Sequence, residues 1–271
     1  MANEVVQAII LGILQGLTEF LPISSSAHLL LVPWLFGWES FGILFDVILH
    51  GGTLAAILLY FRSDWSAILR GALARLRSPQ GKEVGGPEVG ILLGTIPAIV
   101  VALVFRSWIE DFARVPAVTA VTLTVFGVLL WWADRRRGER GLGELTWQDA
   151  LWIGVAQSLA LVPGVSRSGI TITAALWLGY RRDEAARFSF LLGGPIMFLG
   201  FGDALWEWIQ APGNGVAAAP LAAGFATSFV VGFLCIKYFL DHLKRHGFMP
   251  FVLYRLALAG VIAVILLGWH P

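Results

Sequence analysis

Apolar runs of bilayer length dominate this chain and restrict how it can fold. Residues 41–61, 89–105, 117–133, 187–209 and 219–239 are five such runs, and 250–269 is a sixth. Crossing a bilayer as a helix takes roughly 20 apolar residues. Two other regions are apolar but interrupted. Residues 5–36 contain Glu19, Pro22, Ser24, Ser25, Ser26 and His28, and residues 149–180 contain Pro163, Gly164, Ser166, Arg167 and Ser168. Each half of these regions is too short to span, so each reads as a re-entrant helical hairpin. Broken backbone at membrane depth is tolerated only where protein or a water-filled cavity surrounds it. With 57% hydrophobic and 14% charged residues, the predicted class is an all-α integral membrane protein. It has six transmembrane helices plus two re-entrant helical hairpins.

Charge sets the orientation. Fifteen of the nineteen Lys and Arg residues fall in the segments 62–87, 134–148, 181–187 and 237–247. Six spans with two re-entrant hairpins put all of these on one side, which the positive-inside rule makes cytoplasmic. Both termini then lie outside. No Lys or Arg precedes Arg62, so the N-terminus lacks the basic segment of a signal peptide and is expected to be retained. The net charge of +1 carries no signature of a nucleic-acid partner, and the single cysteine, Cys235, reads as a small packing residue. Arg255 and Asp203 read as residues near span ends that reach toward water.

The two halves of the chain resemble each other. Leu11–Leu17 aligns with Ile153–Leu159 at an offset of 142, and Pro22 and Ser25 match Pro163 and Ser166 at 141. Gly51-Gly52 matches Gly193-Gly194 at 142, and Gly94 with Val100-Val101 matches Gly224 with Val230-Val231 at 130. Each half is a hairpin plus three spans. Three is odd, so the second half enters from the opposite side, which makes an inverted-topology repeat. Residues 1–133 form the first repeat, 134–148 a cytoplasmic linker and 149–271 the second repeat.

The breaks carry the chemistry. A charge at bilayer depth costs on the order of 2.5–3.5 kcal/mol by insertion scales, so Arg167 is expected to face a polar cavity and bind an anion. Its planar fork suits phosphate. Gln15 and Glu19, four residues apart, share one helix face. Pro22 ends one helix, and Ser24, Ser25 and Ser26 can cap the next, where a helix N-terminus favours anions. The second break repeats this design with Ser166, Arg167 and Ser168. His50, four residues from Asp46, reads equally well as a pocket residue or as core.

Gln-x-x-x-Glu, Pro-Ile-Ser-Ser-Ser-Ala-His and Pro-Gly-Val-Ser-Arg-Ser-Gly-Ile-Thr together resemble the undecaprenyl-pyrophosphate phosphatase family of bacterial membranes, the bacitracin-resistance type. The likeness covers nearly the whole chain and includes Ala185–Leu191. It implies hydrolysis of a C55 isoprenyl pyrophosphate to the monophosphate at an outward-facing site in the bacterial cytoplasmic membrane, recycling the carrier for cell-wall synthesis. It also implies a divalent cation, Mg²⁺ or Ca²⁺, with Gln15 and Glu19 as its ligands. Gln15 departs from the family, since many members carry Glu there, and a neutral amide weakens cation binding. By resemblance Glu19, Ser25, His28 and Arg167 are catalytic. Ser24, Ser26, Ser166, Ser168 and Thr171 join Arg167 around the phosphate. Ser25 as nucleophile with His28 as base is the preferred assignment; attack by His28 itself, or by a water, stays open. Membrane lipids are the other expected partners. Gly193-Gly194 and Gly200-x-Gly202 permit close helix contact, a homodimer included, without fixing an oligomeric state. The rival function is a lipid flippase or transporter, since inverted repeats with broken helices are also transporter architecture.

Overall fold

The computed structural model describes residues 2–39, 41–77, 86–112, 115–210 and 217–268. Lys82, counted in segment 62–87, lies outside these residues. Eleven α-helices follow in order: α1 (Ala2–Thr18), α2 (Ser25–Phe36), α3 (Ile43–Tyr60), α4 (Arg62–Arg77), α5 (Pro87–Phe112), α6 (Pro116–Asp134), α7 (Trp147–Ser158), α8 (Arg167–Trp177), α9 (Arg182–Gln210), α10 (Ala218–Leu243) and α11 (Met249–Gly268). Among the described residues there is no β-strand, only an isolated bridge between Arg140 and Tyr180.

The starts and stops follow local chemistry. Pro116 opens α6, where its missing N–H loses nothing. Thr146 and Asp149 form a capping box at the start of α7. Gly37, at φ 62°, ends α2 in the left-handed conformation.

Five helical segments are long and apolar enough to cross a membrane: Pro87–Phe105, Pro116–Asp134, Arg182–Asp203, Ala218–Leu243 and Met249–Gly268. The count is six if the bent pair α3–α4 forms one span. Here the structure departs from the sequence reading. Residues 41–61 were expected as a span and 62–87 as the basic loop that follows it, yet the chain turns by 76° at Phe61 and continues as helix α4. Arg62, Ser63 and Asp64 break the apolar run, while Trp65, Leu69 and Leu73 keep a helical period.

Burial runs opposite to that of a water-soluble protein. Leu92, Leu103 and Val104 on α5, Val121 on α6, and Val264 and Leu267 on α11 are exposed. Gln15, Glu19, His28, Gln157 and Arg255 are buried. An apolar exterior of this extent has its solvent in lipid. The chain is an integral membrane protein.

Close backbone contacts hold the helices. α1 packs on α10, and α7 packs on α5. A side chain at Gly12 would collide with the Gly224 carbonyl, and one at Gly154 with the Gly94 carbonyl. Phe20, in the first break, meets Phe190 of α9 edge to face at 5.2 Å, a favoured aromatic geometry.

One polar cluster ties the 135–146 connection to α7 and α8. Asp149 accepts from Arg140 Nη2 at 2.6 Å, from Tyr180 Oη at 2.8 Å and from the Thr146 N–H at 3.2 Å. Burial pushes the Asp149 carboxyl up, but these hydrogen bonds outweigh it and hold it below its usual value of 3.8. A carboxyl depressed in the folded state stabilises above its unfolded pKa, and that stability is lost as pH falls through the folded value. Melting midpoints measured in detergent should therefore drop as pH falls below about 4. Asp149→Asn should melt lower than wild type at pH 7, and the gap should narrow toward pH 3. A constant gap would remove Asp149 as the titrating group.

Candidate active site

The two breaks have the same local geometry. Ser24 (φ 75°) and Ser166 (φ 70°) are the only non-glycine residues with positive φ among the described residues. Such backbone is strained for a residue with a Cβ, and it clusters where function requires it. Each serine caps the next helix: Ser24 Oγ accepts from Ala27 N and Ser166 Oγ from Gly169 N. Each also exchanges a hydrogen bond with the serine two residues on, Ser24 with Ser26 at 3.1 Å and Ser166 with Ser168 at 3.2 Å. Ser168 Oγ donates to the Leu21 carbonyl and joins one break to the other.

Between the breaks lies a cavity of about 310 Å³. Glu19 is its centre. Glu19 Oε1 accepts from Arg167 Nη2 at 2.6 Å. Oε2 accepts from Ser25 Oγ at 2.7 Å and from Gln15 Nε2 at 3.1 Å. His50 Nε2 stands 3.7 Å from Oε2. The Asp46 carbonyl lies 2.7 Å from His50 Nδ1. A carbonyl only accepts, so Nδ1 carries a proton and Nε2 faces the carboxylate. Arg167 Nη1 is buried without a hydrogen-bond partner. Gly193 makes room for it, since any side chain there would overlap the guanidinium. A buried donor left unmade costs about 1–3 kcal/mol, which an anion's oxygen would recover.

Six of the expected site residues line this cavity: Glu19, Ser24, Ser25, Ser26, Ser166 and Arg167. Gln15 lies behind Glu19 and is fully buried. Thr171 is directed to Ser189 Oγ and the Arg167 carbonyl, and Ser168 to Leu21. His28 is buried outside the lining. Its Nδ1 bonds the Ser24 carbonyl and its Nε2 the Tyr254 hydroxyl, both at 2.7 Å, and its ring stacks on Tyr254.

Arg255 corrects the sequence reading. It does not reach toward water; it is fully buried on α11. Its guanidinium donates to the carbonyls of Pro22, Gly164, Val165, Thr122 and Leu123 at 2.9–3.3 Å. Pro22 belongs to the first break, Gly164 and Val165 to the second. The signal in the sequence was the one that marked Arg167, a lone cation inside an apolar run. Met197, whose Sδ accepts from Arg167 at 3.2 Å, and Tyr254 gave no sequence signal.

No group of three His, Cys, Asp or Glu side chains able to hold a metal exists among the described residues. The oxygens nearest to that task are the Glu19 carboxylate and Gln15 Oε1, which is buried and has no partner. An orphan oxygen beside a carboxylate suits a hard cation whose other ligands come from substrate or water.

The family model described as bacitracin resistance protein BacA matches residues 8–261. The chain belongs to the BacA family. Among similar proteins, the undecaprenyl-diphosphatase of Chromohalobacter salexigens is 47% identical over 260 residues, 96% of each chain. That of Hahella chejuensis is 44% identical over 95% of this chain and 97% of its own. Undecaprenyl-diphosphatase 2 of Stutzerimonas stutzeri is 45% identical over 98% and 99%. In this BacA-family chain the acid, the hydroxyl and the guanidinium thus meet where the two breaks face each other.

Proposed function

We propose that this chain is a membrane hydrolase that cleaves undecaprenyl diphosphate to the monophosphate and inorganic phosphate. The observation that carries the reading is the single cavity in which Glu19 is bonded at once to Arg167 and to Ser25. The names of the relatives carry hydrolysis and not transport, which favours this reading over the flippase.

Arg167 holds the terminal phosphate through its fork. A phosphate drawn onto Arg167 relieves Glu19 of its counter-charge and makes the carboxylate a better proton acceptor. Ser25 Oγ attacks phosphorus, its proton passes to Glu19 Oε2, and the bond from phosphorus to the bridging oxygen breaks. Undecaprenyl phosphate leaves. Water then cleaves the phosphoserine, releasing phosphate and restoring Ser25. His50 presents its Nε2 to the same carboxylate at 3.7 Å. His28 acts as a positioning residue that holds the Ser24 carbonyl from behind. Ser24, Ser26 and Ser166 offer hydroxyls to the phosphate oxygens. A Mg²⁺ or Ca²⁺ ion, held by Glu19 and Gln15 Oε1, would neutralise diphosphate charge.

The topology we propose has six spans, with α3 as the span of the bent pair and α4 on the basic side, and with α1–α2 and α7–α8 as re-entrant hairpins of an inverted repeat. Its support is the exchange of aligned glycines: Gly12 meets Gly224, and Gly154 meets Gly94. The positive-inside rule places the cavity mouth and both termini outside.

The test is phosphate release from a long-chain prenyl diphosphate by purified protein in detergent. Ser25→Ala should lower kcat by at least about 10³-fold without changing the melting midpoint. Retained turnover in Ser25→Ala would remove the serine mechanism.

A further inference from the structure

A second cavity, of about 460 Å³, lies away from the breaks. Arg136, Arg137, Arg181, Arg182, Lys244 and Arg245 line it, with Asp183 as the only acid in the lining. Three separate stretches of chain bring these cations together: the end of α6, the start of α9 and the end of α10.

The positive-inside rule explains why this face is basic. It does not explain convergence on one cavity, because exposed cations spread over the surface satisfy it equally well. Like charges around a single concavity repel one another, and the repulsion falls only when an anion enters. Part of the charge is already neutralised. Arg182 bonds Asp134, Arg181 bonds Asp183 and Glu184, and Lys244 bonds Asp241. Arg136 lies over the Trp177 ring at 5.3 Å. Arg137 and Arg245 have no ion-pair partner among the described residues. Two guanidiniums are therefore left to face a ligand.

The walls are fixed in advance. Arg140 N donates to Gly179 O and Arg181 N to Arg140 O, both at 3.0 Å, which pins the loop after α6 to the start of α9. A side chain at Gly138 would collide with the Gly179 and Tyr180 backbone. Asp134 accepts from Arg182 and from Phe248 N, tying in the connection between α10 and α11. Guanidiniums are the usual receptor for phosphate oxygens, and basic pockets between membrane helices hold anionic headgroups.

We propose that this cavity is a binding site for a phosphate group, separate from the catalytic cavity and filled either by the phosphodiester of an anionic lipid or by soluble phosphate. The experiment compares wild type with Arg137→Gln/Arg245→Gln, a pair without an ion-pair partner among the described residues. Melting midpoints are measured in neutral detergent with added inorganic phosphate, phosphatidylglycerol or phosphatidylcholine at constant ionic strength. A ligand that binds only the folded state raises the midpoint saturably.

The wild type should show such a rise with phosphate or with phosphatidylglycerol, and none with phosphatidylcholine. A rise with phosphate assigns a soluble ligand; a rise with phosphatidylglycerol alone assigns the headgroup. The double variant should need at least about tenfold more ligand, the equivalent of 1.4 kcal/mol. Its ligand-free midpoint and its phosphate release should match wild type. No saturable rise with either probe, or an equal rise in the double variant, would overturn the proposal.

Discussion

Arg167→Ala should lower phosphate release by at least about 10³-fold, the lower end of what a phosphate-clamping arginine contributes. Two effects combine. The variant loses the fork that neutralises transferring phosphoryl charge. It also leaves Glu19, only 6% exposed, without its counter-charge, and breaking one side of a buried pair destabilises by about 3–5 kcal/mol. The two effects separate by pairing turnover with melting midpoints across three variants. Arg167→Lys keeps a charge near Glu19 but loses the planar fork, so it should melt near wild type and still lose most of kcat. Gly193→Ala leaves Arg167 in the sequence but occupies the space its Nη1 fills. It should therefore show the same kcat loss without any change of charge. Ser25→Ala completes the comparison, since it removes the attacking hydroxyl and leaves the ion pair whole. Wild-type turnover in Arg167→Ala would end the phosphate-clamp reading, whatever the stability.

Much of this site was legible because membrane energetics make intramembrane polar groups expensive. Glu19 and Arg167 stood out for that reason, and the structure pairs them across 148 residues at 2.6 Å. The serine caps were legible because helix breaks need side-chain acceptors, and Ser24 and Ser166 supply them. The sequence reading ranked His28 above His50, as the base for Ser25, whereas in the structure His50 lines the cavity and His28 does not. Each sits four residues after a carbonyl that bonds its Nδ1, so local spacing is the same for both. Only the packing of α11 decides that His28 meets Tyr254 while His50 meets the cavity. The bend at Phe61 was missed because hydropathy reports length and not direction. Arg255 was misread through a related gap. Its acceptors lie up to 233 residues away, and nothing near it in the chain marks them. A rule for span ends was applied to a residue whose partners include carbonyls released by two distant breaks.

That arrangement gives Arg255 the largest expected effect on stability. Broken helices expose carbonyls that find no donor in lipid. Pro22 cannot continue the first helix, and the second break turns through Gly164 at φ 87°. Arg255 supplies donors to five of the carbonyls in and beside these breaks. Arg255→Met keeps length and apolar bulk but no donor. Thr122 and Leu123 keep their donors within α6, but Pro22, Gly164 and Val165 do not. Each buried carbonyl left unbonded costs about 1–3 kcal/mol, and three together are a large part of the roughly 5–15 kcal/mol by which proteins are stable. Arg255→Met should therefore melt at least about 10 °C below wild type, or fail to accumulate in the membrane. Arg255→Lys supplies up to three donors from a single point, so it should fold, melt between the two and release phosphate more slowly. Because Arg255 is absent from the cavity lining, its loss should act on kcat through the placing of Ser25 and Arg167. KM should move little in Arg255→Lys. If Arg255→Met melts and turns over like wild type, the breaks are held by their serine caps alone and the arginine has no positioning role.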